Sequence, residues 1–89
     1  MSDRKFEAGR VVTTIGAITE FSQGELVAAL TRHLTGDWGD LGVDDKEENE
    51  FSLKLGYRIL SAYMIRDIKL RIITEADRSA TTLMLPDEY

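Results

Sequence analysis

No cysteine occurs in the chain, and the only proline, histidine and tryptophan are Pro86, His33 and Trp38. Without cysteine there is neither a disulfide framework nor a thiolate metal site, so packing or self-association must supply stability. A single histidine, with no second at ligand spacing, argues against a zinc centre. No run approaches the roughly 20 apolar residues of a membrane span, and Met1-Ser2-Asp3-Arg4-Lys5-Phe6-Glu7 lacks the apolar stretch of a signal peptide. A cytoplasmic protein without membrane contact is therefore expected. Also missing are Gly-x-Ser-x-Gly, a phosphate-binding glycine loop and a cysteine nucleophile, so the familiar hydrolase and nucleotide-binding mechanisms gain no support. Basic charge is scarce, with 11 Lys and Arg against 16 Asp and Glu. A net charge of -5 argues against direct binding to a nucleic-acid backbone, which needs clustered cations to displace counterions.

What is present suits one small folded domain over 1–89, with 1–8 as a flexible N-terminus. Hydrophobic residues make up 43% of the chain and can form a core, while the 30% that are charged supply a solvated surface. Acidity concentrates in Asp37, Asp40, Asp44, Asp45, Glu47, Glu48 and Glu50, giving the middle of the chain a local negative field.

Patterning predicts an α+β fold. Arg10 to Thr14 is β-branched and reads as a first strand, on an edge if it joins the sheet, and Ile15 to Phe21 as a helical turn or two. Ser22 and Glu25 have capping-box spacing, and Leu26, Val27, Leu30 and Leu34 form an apolar stripe on the helix that follows, with Gly36 as its stop. A second helix is expected over Asp44 to Leu55, capped by Asp44 with Glu47 and ended by Gly56. Tyr57 to Arg66, Lys69 to Thr74 and Ala80 to Leu85 read as strands joined through Asp67-Ile68 and Glu75 to Ser79. The expected architecture is an antiparallel sheet of three or four strands, with a C-terminal meander, packed on two or three helices.

Two polar clusters carry the candidate chemistry: Arg32 to Asp40, and Ile73 to Thr82. His33 falls near the apolar stripe at a helix C-terminus, where an imidazolium favours the negative end of the dipole. Read as a site instead, it is a general base acting with Asp37, Glu75 or Asp77 while Arg78 holds an anion bidentately. Trp38, Asp37, Asp40 and Arg78 are the candidate binding residues; the indole is expected to fold back on the core, with ligand stacking or an interface anchor as the sharper option. Asp37, Asp40, Asp44 and Asp45 are oxygen ligands without the order of an EF-hand loop, so no metal is assigned, and no cofactor motif occurs.

Gly36-Asp37-Trp38-Gly39-Asp40, Arg58 to Tyr63, Ile73 to Thr82 and Leu85-Pro86-Asp87-Glu88-Tyr89 occur in an order that resembles a family of small uncharacterised bacterial proteins described as plasmid-related. The resemblance runs from about Val11 to Tyr89. It implies carriage on mobile DNA, such as a plasmid, phage or integron cassette, and supplies no catalytic residues. The expected function is thus a non-enzymatic protein-interaction module, an accessory or anti-defence factor, with a homodimer compatible with its edge strands. The competing expectation is a small enzyme or anion-binding protein, with a pocket joining His33, Asp37 and Trp38 to Glu75, Asp77 and Arg78.

Overall fold

A computed structural model describes residues 4–88. Strand β1 (Arg10–Thr13) leads into helices α1 (Ile15–Glu20), α2 (Gln23–Leu34) and α3 (Val43–Leu55). Strands β2 (Ile59–Ile65), β3 (Ile68–Thr74) and β4 (Ala80–Met84) follow, and a 3-10 turn spans Pro86–Glu88.

The capping chemistry predicted for α2 is in place. Ser22 Oγ accepts the Glu25 N–H, and Glu25 Oε1 accepts the Ser22 N–H, so two otherwise unpaired donors are satisfied reciprocally. Its core-facing residues are Leu26, Ala29, Leu30, His33 and Leu34, whereas Val27 is exposed. Val27 departs from the predicted stripe because a step of one residue turns the side chain about 100° away from Leu26.

Helix α3 starts one residue earlier than predicted. Gly42 is its N-cap, with no side-chain bond, and the Gly42 carbonyl accepts the Lys46 N–H. The Asp44–Glu47 pairing is not used as a cap, and Asp44 and Asp45 lie in the first turn, where the helix dipole favours anions. Gly56 ends the helix as predicted, in the left-handed region at φ 77°, which suits a residue without Cβ.

The sheet has the order β1-β4-β3-β2. Its C-terminal strands form the predicted antiparallel meander, but β1 runs parallel to β4, so the sheet is mixed. Parallel neighbours need a long crossover, and here the whole helical section with β2 and β3 intervenes. The first hairpin turns through Arg66-Asp67, one residue before the predicted Asp67-Ile68. Both residues have positive φ, 51° and 65°, as a two-residue turn following the strand twist requires.

One sheet face presents Ile59, Ser61 and Tyr63 of β2, Leu70, Ile72 and Thr74 of β3, and Thr81 and Leu83 of β4. Ala17 and Phe21 of the α1 segment and Ala29 of α2 pack against its apolar members. Along β3, Leu70, Ile72 and Thr74 on this face alternate with Lys69, Arg71 and Ile73, and Ile73 is additionally buried on the other. Of the lead-in expected to be flexible, residues 1–3 lie outside the described residues. The Lys5 N–H donates to the Leu34 carbonyl, while Phe6 is half-buried and Ala8 buried.

Helix α3 lies along the β2 edge rather than across the sheet. There Asn49 uses its amide as a strand would: Nδ2 donates to the Leu60 carbonyl at 2.6 Å, and Oδ1 accepts the Leu60 N–H at 3.2 Å. The next stretch of edge is closed by the loop after α2. Trp38 O accepts from Ala62 N–H, Asp40 N–H donates to Ala62 O, and Asp40 Oδ2 accepts the Met64 N–H. Gly39 allows this approach: it has φ 74°, and a Cβ there would collide with the Ala62 carbonyl and the Tyr63 ring.

Candidate functional site

His33 is carried on the last turn of α2 into the sheet, where it is 0% exposed. Its Nδ1 meets Ser61 Oγ of β2, and its Nε2 lies 2.9 Å from Thr74 Oγ1 of β3. Thr74 Oγ1 is 2.7 Å from Thr81 Oγ1 of β4, and the Thr81 hydroxyl donates to the Ala8 carbonyl at 2.7 Å. That carbonyl sets the direction of every link, because a hydroxyl has one proton to give. Thr81 spends its proton on Ala8, so Thr74 must donate to Thr81 and accept from His33 Nε2–H. Nδ1 is then an acceptor, and Ser61 donates to it. His33 is the neutral Nε2–H tautomer, with both nitrogens occupied. Burial pushes its pKa down to about 3.

Such an arrangement cannot perform the proton transfer predicted for His33. A general base needs an unoccupied acceptor within reach of a substrate proton, and here neither the ring nor Ser61 meets solvent. The real partners of His33 are Ser61, outside both clusters, and Thr74, which leads on to Thr81; these two lie in the second cluster but have no role in the predicted site. Their signal was present as hydroxyls at inward positions of three neighbouring strands, with Thr74 and Thr81 paired in register.

The two polar clusters approach each other through Phe6. The Phe6 ring lies edge-on to His33 at 5.2 Å and is stacked near Trp38 at 6.2 Å, while Arg78 Cζ is 5.6 Å from its centroid. An aromatic ring therefore occupies the space a shared pocket would need. Arg78 is not available to an anion: its guanidinium donates to the carbonyls of Ser52, Tyr57, Glu75 and Ala76. It ties the end of α3 to the β3–β4 turn. Within that turn, the Ser79 hydroxyl, followed by the Ser79 N–H that Asp77 Oδ1 accepts, holds the Asp77 carboxyl below the ordinary range, and Glu75 pairs with Arg58.

The remaining binding candidates are likewise engaged within the fold. Trp38 is 4% exposed, packs against His33 and donates Nε1–H to Glu50 Oε2 at 2.8 Å, so the indole is not a surface anchor. An indole pays a large solvation cost in the open and recovers it by burial. Arg32 grips Asp37 with Nε and Nη2, and this bond, ahead of other influences, lowers the Asp37 pKa. Tyr63 donates its hydroxyl to the Asp37 carbonyl at 2.6 Å, and burial raises its pKa to about 12. Asp40 serves the β2 edge. Among the described residues, no three acidic or histidine side chains are grouped to hold a metal ion, Asp37, Asp40, Asp44 and Asp45 included. Nor, among those residues, is any helix long and apolar enough to cross a membrane.

The surface of α3 is different. Its buried residues are Asn49 and Ser52, whereas Phe51 and Leu55 are 59% and 52% exposed, with Val43 and Tyr57 also in solvent. The helix directs Asn49 and Ser52 at the sheet edge and Phe51 and Leu55 outward, with Leu53 half-buried, among five carboxylates and two lysines. Comparison of the chain with protein-family models, curated proteins and solved structures finds no match.

Proposed function

We propose that this chain is a non-enzymatic protein-interaction module of the cytoplasm, carried on a mobile element as an accessory or anti-defence factor, and that α3 is its docking face. The carriage rests on the resemblance of its four sequence blocks to plasmid-related proteins. One observation carries the interaction reading: Phe51 and Leu55 stand in solvent on a helix whose inward positions hold Asn49 and Ser52. Exposed aromatic and aliphatic residues with a charged surround have the anatomy of a contact patch. Asp44, Glu47 and Glu48 give that surround a negative sign, so the fitting partner presents Lys or Arg around an apolar pocket. The residues first expected to bind have structural duties instead, and the docking role passes from Trp38 to Phe51.

The test is affinity capture from the bacterial host, comparing the native chain with a Phe51→Asp, Leu55→Asp double variant. A basic protein retained by the native chain and lost at least roughly tenfold by the variant, with unchanged thermal unfolding, is the expected result. Equal retention by the two proteins defeats the reading.

A further inference from the structure

The two edges of the sheet are finished differently. At β2 the outward backbone groups of Leu60, Ala62 and Met64 are met by Asn49, Trp38 and Asp40. At β1 nothing comparable is found among the described residues. The Arg10 N–H donates to Ser79 O and the Thr14 N–H to Leu83 O, so alternate residues turn their backbone groups toward β4. Val11 and Thr13 must then direct theirs outward, and among the described residues nothing bonds to them. Side chains on both faces of this edge are apolar and in solvent, Val11 at 47% and Val12 at 37%.

We infer that β1 is a self-association edge, on which a second copy of this chain pairs antiparallel about a two-fold axis at Val12. In that register Val11 exchanges both backbone bonds with the partner's Thr13, and Thr13 does the same with the partner's Val11. Val12 lies against the partner's Val12 as the close, non-hydrogen-bonded pair, about 4.5 Å between Cα atoms. The outward groups are self-complementary because they alternate symmetrically about Val12.

Charge selects a copy of this chain as the occupant. Arg10 faces the same side as Val12, is exposed, and has no ion-pair partner among the described residues. In the two-fold register it lies opposite the partner's Thr14. That hydroxyl is held by the Glu88 carboxylate, whose other oxygen accepts the Gly16 N–H at 3.0 Å. Each Arg10 thus meets the other copy's Glu88 beside the new strand pair, and the symmetry supplies this contact twice. The contact uses a face separate from α3, so either reading can fail without the other.

Sedimentation equilibrium of the full chain across a concentration series tests it. The native chain should show twice the 10.0 kDa protomer mass and dissociate on dilution. Val12→Asp sets two carboxylates across the axis, and Arg10→Glu faces the partner's Glu88 with like charge. Each should weaken dimerisation by roughly tenfold or more with unchanged circular dichroism. Arg10→Glu alters only an exposed side chain and decides the matter if Val12→Asp loses its fold. A native chain that sediments at 10.0 kDa throughout overturns the inference. So does a folded variant that dimerises like the native chain, since its contact then lies elsewhere.

Discussion

At His33, burial and proton direction act on the same side chain. Protonation puts a second ring N–H on Nδ1, which Ser61 can meet only by turning its own proton away, so the cation disturbs that bond as well as losing its hydration. The unfolded chain has no such restriction and takes up a proton near pH 6.5. Because the folded pKa is depressed to about 3, the native state binds fewer protons between those values. The contribution of His33 is therefore complete above about pH 6.5, and stability falls by about 1.4 kcal/mol per pH unit as pH drops through the window. Urea unfolding at pH 7, 6 and 5 should show this fall, and His33→Gln should flatten it, although it costs about 1–3 kcal/mol at pH 7 by disturbing the hydroxyl chain. Arg78 permits a parallel test: Arg78→Ala leaves the four carbonyls without their donor and should destabilise by about 2 kcal/mol in urea titration. The sequence placed both residues beside a helix end and a hairpin. It did not disclose their partners, because His33 reaches Ser61 and Thr74 across separations of 28 and 41 residues.

At the scale of elements, local chemistry was legible wherever it acts over a few residues. Ser22 with Glu25 starts α2, Gly56 ends α3, and alternation in β3 marks its buried face. Helix α3 defied its own composition. Its apolar residues crowd toward the C-terminal end, yet Asn49 and Ser52 face inward, since an edge strand with unpaired Leu60 groups demands a partner of amide geometry. The direction of β1 was equally hidden, because strand pairing depends on what lies beside it and not on its own side chains. The β2–β3 hairpin offers a prediction at this scale. Asp67 adopts φ 65°, which costs a side-chain-bearing residue on the order of 1 kcal/mol, while glycine follows an I′ turn easily. Asp67→Gly should raise stability by up to about that amount, read as a higher thermal midpoint. Unchanged or lower stability would show that this turn is not strained at Asp67.

For the whole molecule, the arrangement around Trp38 links parts of the chain that no single element controls. The indole touches Phe6 of the lead-in and His33 of α2, and bonds to Glu50 of α3, while its own carbonyl closes the β2 edge. Its fluorescence should therefore report global unfolding. Tryptophan emission and far-UV circular dichroism are expected to give coincident urea transitions, with a slope of about 1 kcal/mol per molar urea for a domain of this size. A tryptophan transition preceding the circular-dichroism change would instead mean that the loop and lead-in detach before the sheet. Charge acts at this scale too: the -5 net charge is distributed so that α3 is the acidic face while the β1 edge contributes Arg10.

The sequence by itself determined the α+β class, the start of α2, the glycine stop of α3 and the C-terminal meander, because capping, turn chemistry and hydrophobic period are short-range effects. Only the tertiary structure decided that His33 is a buried neutral link, that Trp38 bonds to Glu50, that Arg78 is a carbonyl clamp and that α3 turns its Phe51 outward. Those outcomes depend on which backbone and hydroxyl groups are left unpaired once distant strands meet, and the cost of leaving such groups unpaired in the interior overrides the preferences each residue shows alone.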